Sequence, residues 1–75
     1  MVDAFVLMTV KAGSANKVVE KLNTLPEVKE VNLIYGMYDV LAKIHADTLK
    51  DLTPLILKIR NEIPQIESTS TLIEA

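Results

Sequence analysis

The chain has 75 residues, 49% of them hydrophobic but only 4% aromatic, with no cysteine, one histidine and a formal net charge of −2. That length holds one domain; the lack of cysteine excludes disulfides, and a single histidine without thiols excludes an ordinary zinc site. The acidic balance argues against a nucleic-acid-binding surface, no apolar run reaches membrane-spanning length, and the N-terminus lacks the charged and apolar regions of a signal peptide, so a cytoplasmic location is expected. A domain this small buries little apolar area against the cost of ordering its chain. With disulfides and metal gone, self-assembly is the remaining support, and at least a homodimer is expected.

Ala4–Val10, AFVLMTV, is an almost continuous apolar run of β-favouring residues and reads as a strand covered on both faces. Lys11-Ala12-Gly13 ends it. Ser14 is placed to cap a helix over residues 14–24, in which Ala15, Val18, Val19, Leu22 and Leu25 recur at helical spacing before Pro26 stops the winding. Residues 28–35 and 38–45 read as two further strands. Only Gly36-Met37 lies between them, which suits a type II′ hairpin turn, because glycine takes a positive φ without steric cost. That turn sets Tyr35 opposite Tyr38, Leu33 opposite Val40 and Val31 opposite Ala42 on an apolar face. On the other face Ile34 opposes Asp39, Asn32 opposes Leu41 and Glu30 opposes Lys43. Asp47 is placed to cap a second helix whose apolar stripe is Leu49, Leu52, Ile56, Ile59 and Ile63, with Lys58 and Arg60 near its negative end. Pro54 predicts a kink or an irregular first turn. After Pro64, the Ile- and Thr-rich run QIESTSTLIE reads as a fourth strand.

The order βαββαβ predicts the α+β class: a ferredoxin-like sandwich with a four-stranded antiparallel sheet and two helices on one face, forming a single domain over residues 1–75. The chain supplies no cover for the other sheet face. That face includes Ile34 and Leu41, together with one side of the first strand, either Ala4, Val6, Met8 and Val10 or Phe5 and Leu7. Pairing two such sheets face to face in a homodimer would bury those residues.

Within IYGMYDV, residues 34–40, Asp39 is unexpected because aspartate is disfavoured in strands. YGMYDV, followed by a helix, a proline and IESTST, resembles the effector-binding (RAM) domain of the leucine-responsive and asparagine-type (Lrp/AsnC) feast/famine transcription regulators, over essentially the whole chain. The match rests on the hydrophobic first strand, on a Gly-x-Tyr-Asp turn met by Gly36, Met37, Tyr38 and Asp39, and on a Thr-x-Thr met by Thr69 and Thr71. The resemblance implies face-to-face dimers that join into rings. Small effectors, commonly amino acids, are then held where dimers meet, near the hairpin turn and the last strand, with no cofactor. Such regulators usually carry an N-terminal helix-turn-helix, whereas here the first strand begins almost at Met1. A stand-alone domain without direct DNA binding is therefore expected, acting through ligand binding or co-assembly with full-length relatives.

An amino acid at these positions has a sensible chemistry. Asp39 would accept hydrogen bonds from the ammonium, while backbone N–H groups at Gly36-Met37 and the hydroxyls of Thr69 and Thr71 would hold the carboxylate. Met37 and Tyr38 would form an adaptable apolar wall. Each residue also has a plain structural reading: Asp39 as a solvated strand-end carboxylate, Tyr35 and Tyr38 as cross-strand partners, Thr69 and Thr71 as strand formers. His45 has no Ser or Cys nucleophile at a motif spacing, and Glu27, Glu30, Asp51, Glu62 and Glu67 are scattered among lysines, so no catalytic pair emerges. The expected role is non-enzymatic. Two alternatives stand beside it. One is a dimeric α+β barrel enzyme, such as a cofactor-free oxygenase or isomerase, with His45, Tyr35 or Tyr38 in a cavity within one dimer. The other is a ligand-free assembly partner or ACT-like domain.

Overall fold

Val2–Val10 forms β1, Ala15–Leu22 α1, Val28–Leu33 β2, Val40–Ala46 β3, Leu52–Glu62 α2 and Ile66–Ile73 β4, with a 3-10 turn at Leu49–Asp51 leading into α2. The computed structural model describes residues 2–74, so Met1 and Ala75, the two ends of the expected domain, lie outside it. The strands form one antiparallel sheet in the order β2-β3-β1-β4, the ferredoxin-like arrangement that the element order predicts. β1 and β3 occupy its centre and alternate strictly. Ala4, Val6, Met8 and Val10 of β1 and Val40, Ala42, Ile44 and Ala46 of β3 are buried, while the residues between them are only half-buried. The buried set packs against Val18 and Leu22 of α1 and Leu52, Leu55, Ile59 and Ile63 of α2.

β1 is therefore covered on one face only within the chain, which corrects the expectation of cover on both. Its helix-side residues are Ala4, Val6, Met8 and Val10, and Phe5 and Leu7 look out from the open face. Phe5 pairs with Leu72 and Leu7 with Leu41, which makes an apolar band across three strands. Lys43 lies over the Phe5 ring, 5.6 Å from its centroid, and closes one end of the band.

The hairpin register is the predicted one from Glu30 to Leu33, with Glu30 opposite Lys43, Val31 opposite Ala42, Asn32 opposite Leu41 and Leu33 opposite Val40. The tight two-residue turn is not formed. Regular pairing ends at Leu33 and Val40, and beyond it one backbone bond, from Ile34 N–H to Asp39 C=O at 3.0 Å, holds the loop. Gly36 does take a positive φ, +126°. Tyr35, expected to pair with Tyr38 over the helix-side face, is fully exposed, since regular pairing ends before it at Leu33 and Val40.

Neither expected helix cap forms. The Ser14 hydroxyl donates to Lys11 C=O at 2.6 Å, closing the turn before α1 rather than capping it. Asp47 is exposed, and Thr48 takes the position before the 3-10 turn, its hydroxyl donating to Asp51 Oδ2 at 2.9 Å. The irregular first turn anticipated from Pro54 is this 3-10 segment. It rotates Leu49 out to 58% exposure and brings Leu55, absent from the predicted stripe, into the core.

The turn entering β2 is tied to both layers. Glu27 C=O accepts the His45 N–H at 2.9 Å, and Glu27 Oε2 accepts from Lys58 Nζ of α2 at 3.3 Å. The Glu27 carboxyl titrates below its ordinary value of 4.5, chiefly through its own backbone N–H and secondarily through Lys58, against the opposing effect of desolvation.

Two outcomes follow from this packing. Ile59→Ala opens a cavity and lowers unfolding free energy by about 2–5 kcal/mol in urea denaturation, whereas Leu57→Ala, on the exposed side of the same helix, changes it by under about 0.5 kcal/mol. Glu27 binds fewer protons folded than unfolded, so its contribution is complete above pH 4.5 and is lost as pH falls through the lowered folded value. The stability gap between the native chain and Glu27→Gln, followed by thermal melts from pH 7 to acid, should stay constant above 4.5 and narrow below it.

Candidate functional site

Asp39 sits where three strands end. Its N–H donates to Met8 C=O at 2.8 Å, its C=O accepts from Ile34 N–H at 3.0 Å, and its Oδ2 accepts the Val10 N–H at 3.0 Å. The regular β1–β3 ladder stops at Met8 and Val40, so the carboxylate replaces the carbonyl that β3 no longer presents to Val10. It is not a freely solvated strand-end residue. One oxygen is committed to the fold, and a bond from a backbone N–H to an ionised acceptor is among the stronger kinds.

Gly36 and Met37 stand clear of the sheet at the tip of the connection, Met37 at 87% exposure, while Tyr38 is half-buried. A Cβ added at Gly36 would meet nothing within 4 Å, so this glycine answers to backbone conformation and not to crowding.

Thr69 and Thr71 pair with Met8 and Val6, which places both on the helix side of β4. Thr69 shares the Asp39 end of the sheet but is separated from it by the whole of β1, about 10 Å at two interstrand spacings. Thr71 lies one further residue pair toward the middle of the strand, about 7 Å on. The six expected residues thus border one end of the sheet without closing a pocket on a single subunit. Arg60, which the sequence reading left as a helix-end charge, belongs with them. Its Nη1 donates to Thr69 Oγ1 at 3.1 Å and its Nη2 to Glu67 C=O at 3.4 Å, and among the described residues no carboxylate pairs with it. Arg60 is the only arginine in the chain. Its position near the end of α2 was legible, but its reach to β4 depends on how the helix packs.

The residues that an enzyme of the barrel type would use are kept apart. His45 lies on the open sheet face near the far end of β3, about 20 Å along the strand from the turn that carries Tyr35 and Tyr38. Its Nδ1 is 2.7 Å from Asp3 Oδ1, and this hydrogen bond is the main reason the Asp3 carboxyl titrates below its ordinary range. Among the described residues no three His, Cys, Asp or Glu side chains group to hold a metal ion.

Comparison with known proteins adds three findings. The model of the Lrp/AsnC ligand binding domain matches residues 3–74. The HTH-type transcriptional regulator FL11 of Pyrococcus horikoshii is 37% identical over 70 residues, covering 93% of this chain and 46% of that regulator, so the chain spans just under half of its length. Among solved structures, the hypothetical protein PHS023 from Pyrococcus horikoshii superposes with a TM-score of 0.91 at 47% identity over 100% of this chain and 90% of that one. E. coli AsnC superposes with a TM-score of 0.89 at 27% identity over 97% and 50%.

If Asp39 Oδ2 closes the end of β1, Asp39→Ala should lower stability by about 1–3 kcal/mol at fixed chain concentration. Asp39→Asn keeps an oxygen acceptor and should cost less than about 1 kcal/mol. Equal midpoints for both variants and the native chain in urea denaturation would contradict the assignment.

Proposed function

The chain belongs to the Lrp/AsnC ligand-binding domain family, and on that premise we propose that it is a non-enzymatic module linked to transcription regulation, which binds an amino acid or related small metabolite and assembles with copies of itself. The observation that carries the reading is the family match over residues 3–74 on a sheet whose second face the chain leaves open. Phe5, Leu7, Leu41 and Leu72 form a continuous apolar band on that face, and a second copy laid against it buries the same band on both subunits.

The ligand is held where such dimers meet, around Gly36, Met37, Tyr38, Asp39, Thr69 and Thr71. In one subunit the anionic and cationic sides of this region, Asp39 and the Arg60–Thr69 pair, are about 10 Å apart across β1, too far to grip the two charges on the α-carbon of one amino acid. The pocket is completed when a neighbouring subunit brings its own turn alongside. Asp39 keeps one carboxylate oxygen for an ammonium, and Arg60 beside Thr69 offers a carboxylate a planar set of N–H donors. Met37, exposed and flexible, closes over the side chain. Binding favours the assembly that holds the complete pocket, since a ligand shifts an equilibrium only by its preference for one state. Longer regulators with the same domain are suitable co-assembly partners through the same open face. The separation of His45 from the tyrosines favours this reading over a barrel enzyme.

A ligand-free assembly role is the second reading, supported by the structural use of Asp39. Titrating each common amino acid into the purified chain, with melting temperature and sedimentation as readouts, separates the two. At a hundredfold excess over Kd the responding ligand adds about 2.7 kcal/mol of stability and shifts the size distribution. Asp39→Asn and Met37→Ala abolish the response, and Leu7→Asp yields single subunits. No response to any amino acid removes the effector role, and single native subunits at micromolar concentration remove the assembly role.

A further inference from the structure

The open face of the sheet is not apolar throughout. Beyond Phe5 the band gives way to charge: Asp3 stands opposite His45 in the β1–β3 register, with His45 Nδ1 2.7 Å from Asp3 Oδ1. Lys29, Glu30 and Lys43 surround this pair and with it line a hollow of about 370 Å³. Glu30 faces Lys43 across β2 and β3, and Glu74, just past β4, donates its N–H to Asp3 C=O at 2.9 Å. Toward α2, Glu27 is paired with Lys58, while Asp47 and Asp51 are exposed to solvent. On the open face, then, the three carboxylates Asp3, Glu30 and Glu74 stand among the two ammonium groups of Lys29 and Lys43. One negative charge is in excess while His45 is neutral, and none when it is protonated.

A stable dimer ordinarily buries about 800 Å² on each partner. Four strands, the longest of nine residues, make a face of only roughly 19 by 30 Å, so a contact of that size takes in the Asp3–His45 end along with the apolar band. Both side chains are already partly shielded, at 23% exposure for His45 and 35% for Asp3. We propose that closure of this face against a second copy is proton-linked: His45 takes up a proton as the sheets meet, so the dimer is tight at mildly acid pH and loosens as pH rises. This rests on the open-face assembly proposed above and names how that assembly is regulated. Covering an uncompensated carboxylate costs far more than covering a hydrogen-bonded pair of opposite charges. Imidazole is the side chain whose charge ordinarily changes between pH 5 and 8. The dimer therefore binds more protons than two separate subunits, and its extra affinity is complete below the imidazole titration and lost as pH rises through it. Asp3 sets the direction. Without its carboxylate, protonating His45 adds a charge to the covered face instead of cancelling one.

The test is sedimentation of the full chain in serial dilution at pH 5.5, 7.0 and 8.5 and constant ionic strength, giving the dimer Kd at each pH. Where the native dimer is too tight to dissociate, Leu7→Ala trims the band without adding a titrating group and serves as the background for every comparison. Kd should be at least tenfold larger at pH 8.5 than at pH 5.5. His45 is the only histidine in the chain, so one substitution removes imidazole titration altogether. His45→Gln, neutral throughout, should hold close to the native pH 8.5 affinity at all three values. Asp3→Asn should lose the preference for low pH, an outcome that a merely structural role for the pair would not produce. A dimer whose Kd is the same at all three pH values overturns the proton linkage and leaves the assembly reading standing, whereas single subunits at every pH overturn both. Persistence of the native pH dependence in either His45→Gln or Asp3→Asn also overturns the linkage.

Discussion

Strict alternation along β1 and β3 governs the rest of the molecule. These two strands form the centre of the sheet, and each places four small or aliphatic residues under the helices, where they meet the apolar sides of α1 and α2. Because the side-chain period of a strand is two residues, that same alternation sends Phe5, Leu7, Leu41, Lys43 and His45 to the opposite face, over which none of the described helices packs. A shift of one residue in either strand would exchange the two sets and expose the core. The register that builds the core therefore also builds the apolar band on the open face.

Asp39 joins the core to the end of the sheet that carries the turn. Its three hydrogen bonds tie the ends of β1, β2 and β3 together, and beyond them Tyr35 and Met37 are exposed. A side-chain oxygen serves at this point, accepting the Val10 N–H beyond the last regular β1–β3 pair. Structural and binding uses of the same side chain are compatible, since a carboxylate has two oxygens and the fold uses one. Arg60 repeats the pattern on the other side of β1, spending part of its donor set on β4 and pairing with no carboxylate among the described residues.

The two ends of the sheet differ in kind. At the turn, glycine, methionine and tyrosine present an exposed, mostly apolar tip, which suits contacts completed by another subunit. At the far end, two ion pairs, Asp3 with His45 and Glu27 with Lys58, form a charged rim beside buried aliphatic residues. Membership of a ligand-binding family directs attention to small molecules, and the two ends of the sheet offer them different surroundings.

The sequence alone determined the element order, the antiparallel ferredoxin-like topology and the hairpin register from Glu30 to Leu33, because these follow from side-chain period and from the short distance between the second and third strands. It also determined the family, through the order of Gly36, Tyr38, Asp39, Thr69 and Thr71 along the chain. It misread the caps at Ser14 and Asp47, the tightness of the turn, and the places of Leu49 and Leu55. Caps and turns are decided by competition among nearby acceptors, and the face of a helix depends on where its first turn becomes regular. Only the tertiary structure decided which side of β1 the helices cover, what Asp39 holds, that Arg60 reaches Thr69, and that Lys29, Glu30 and Lys43 surround the Asp3–His45 pair. Each of those facts joins residues distant in the chain, and such contacts arise when elements pack against one another, which no local pattern of amino acids records.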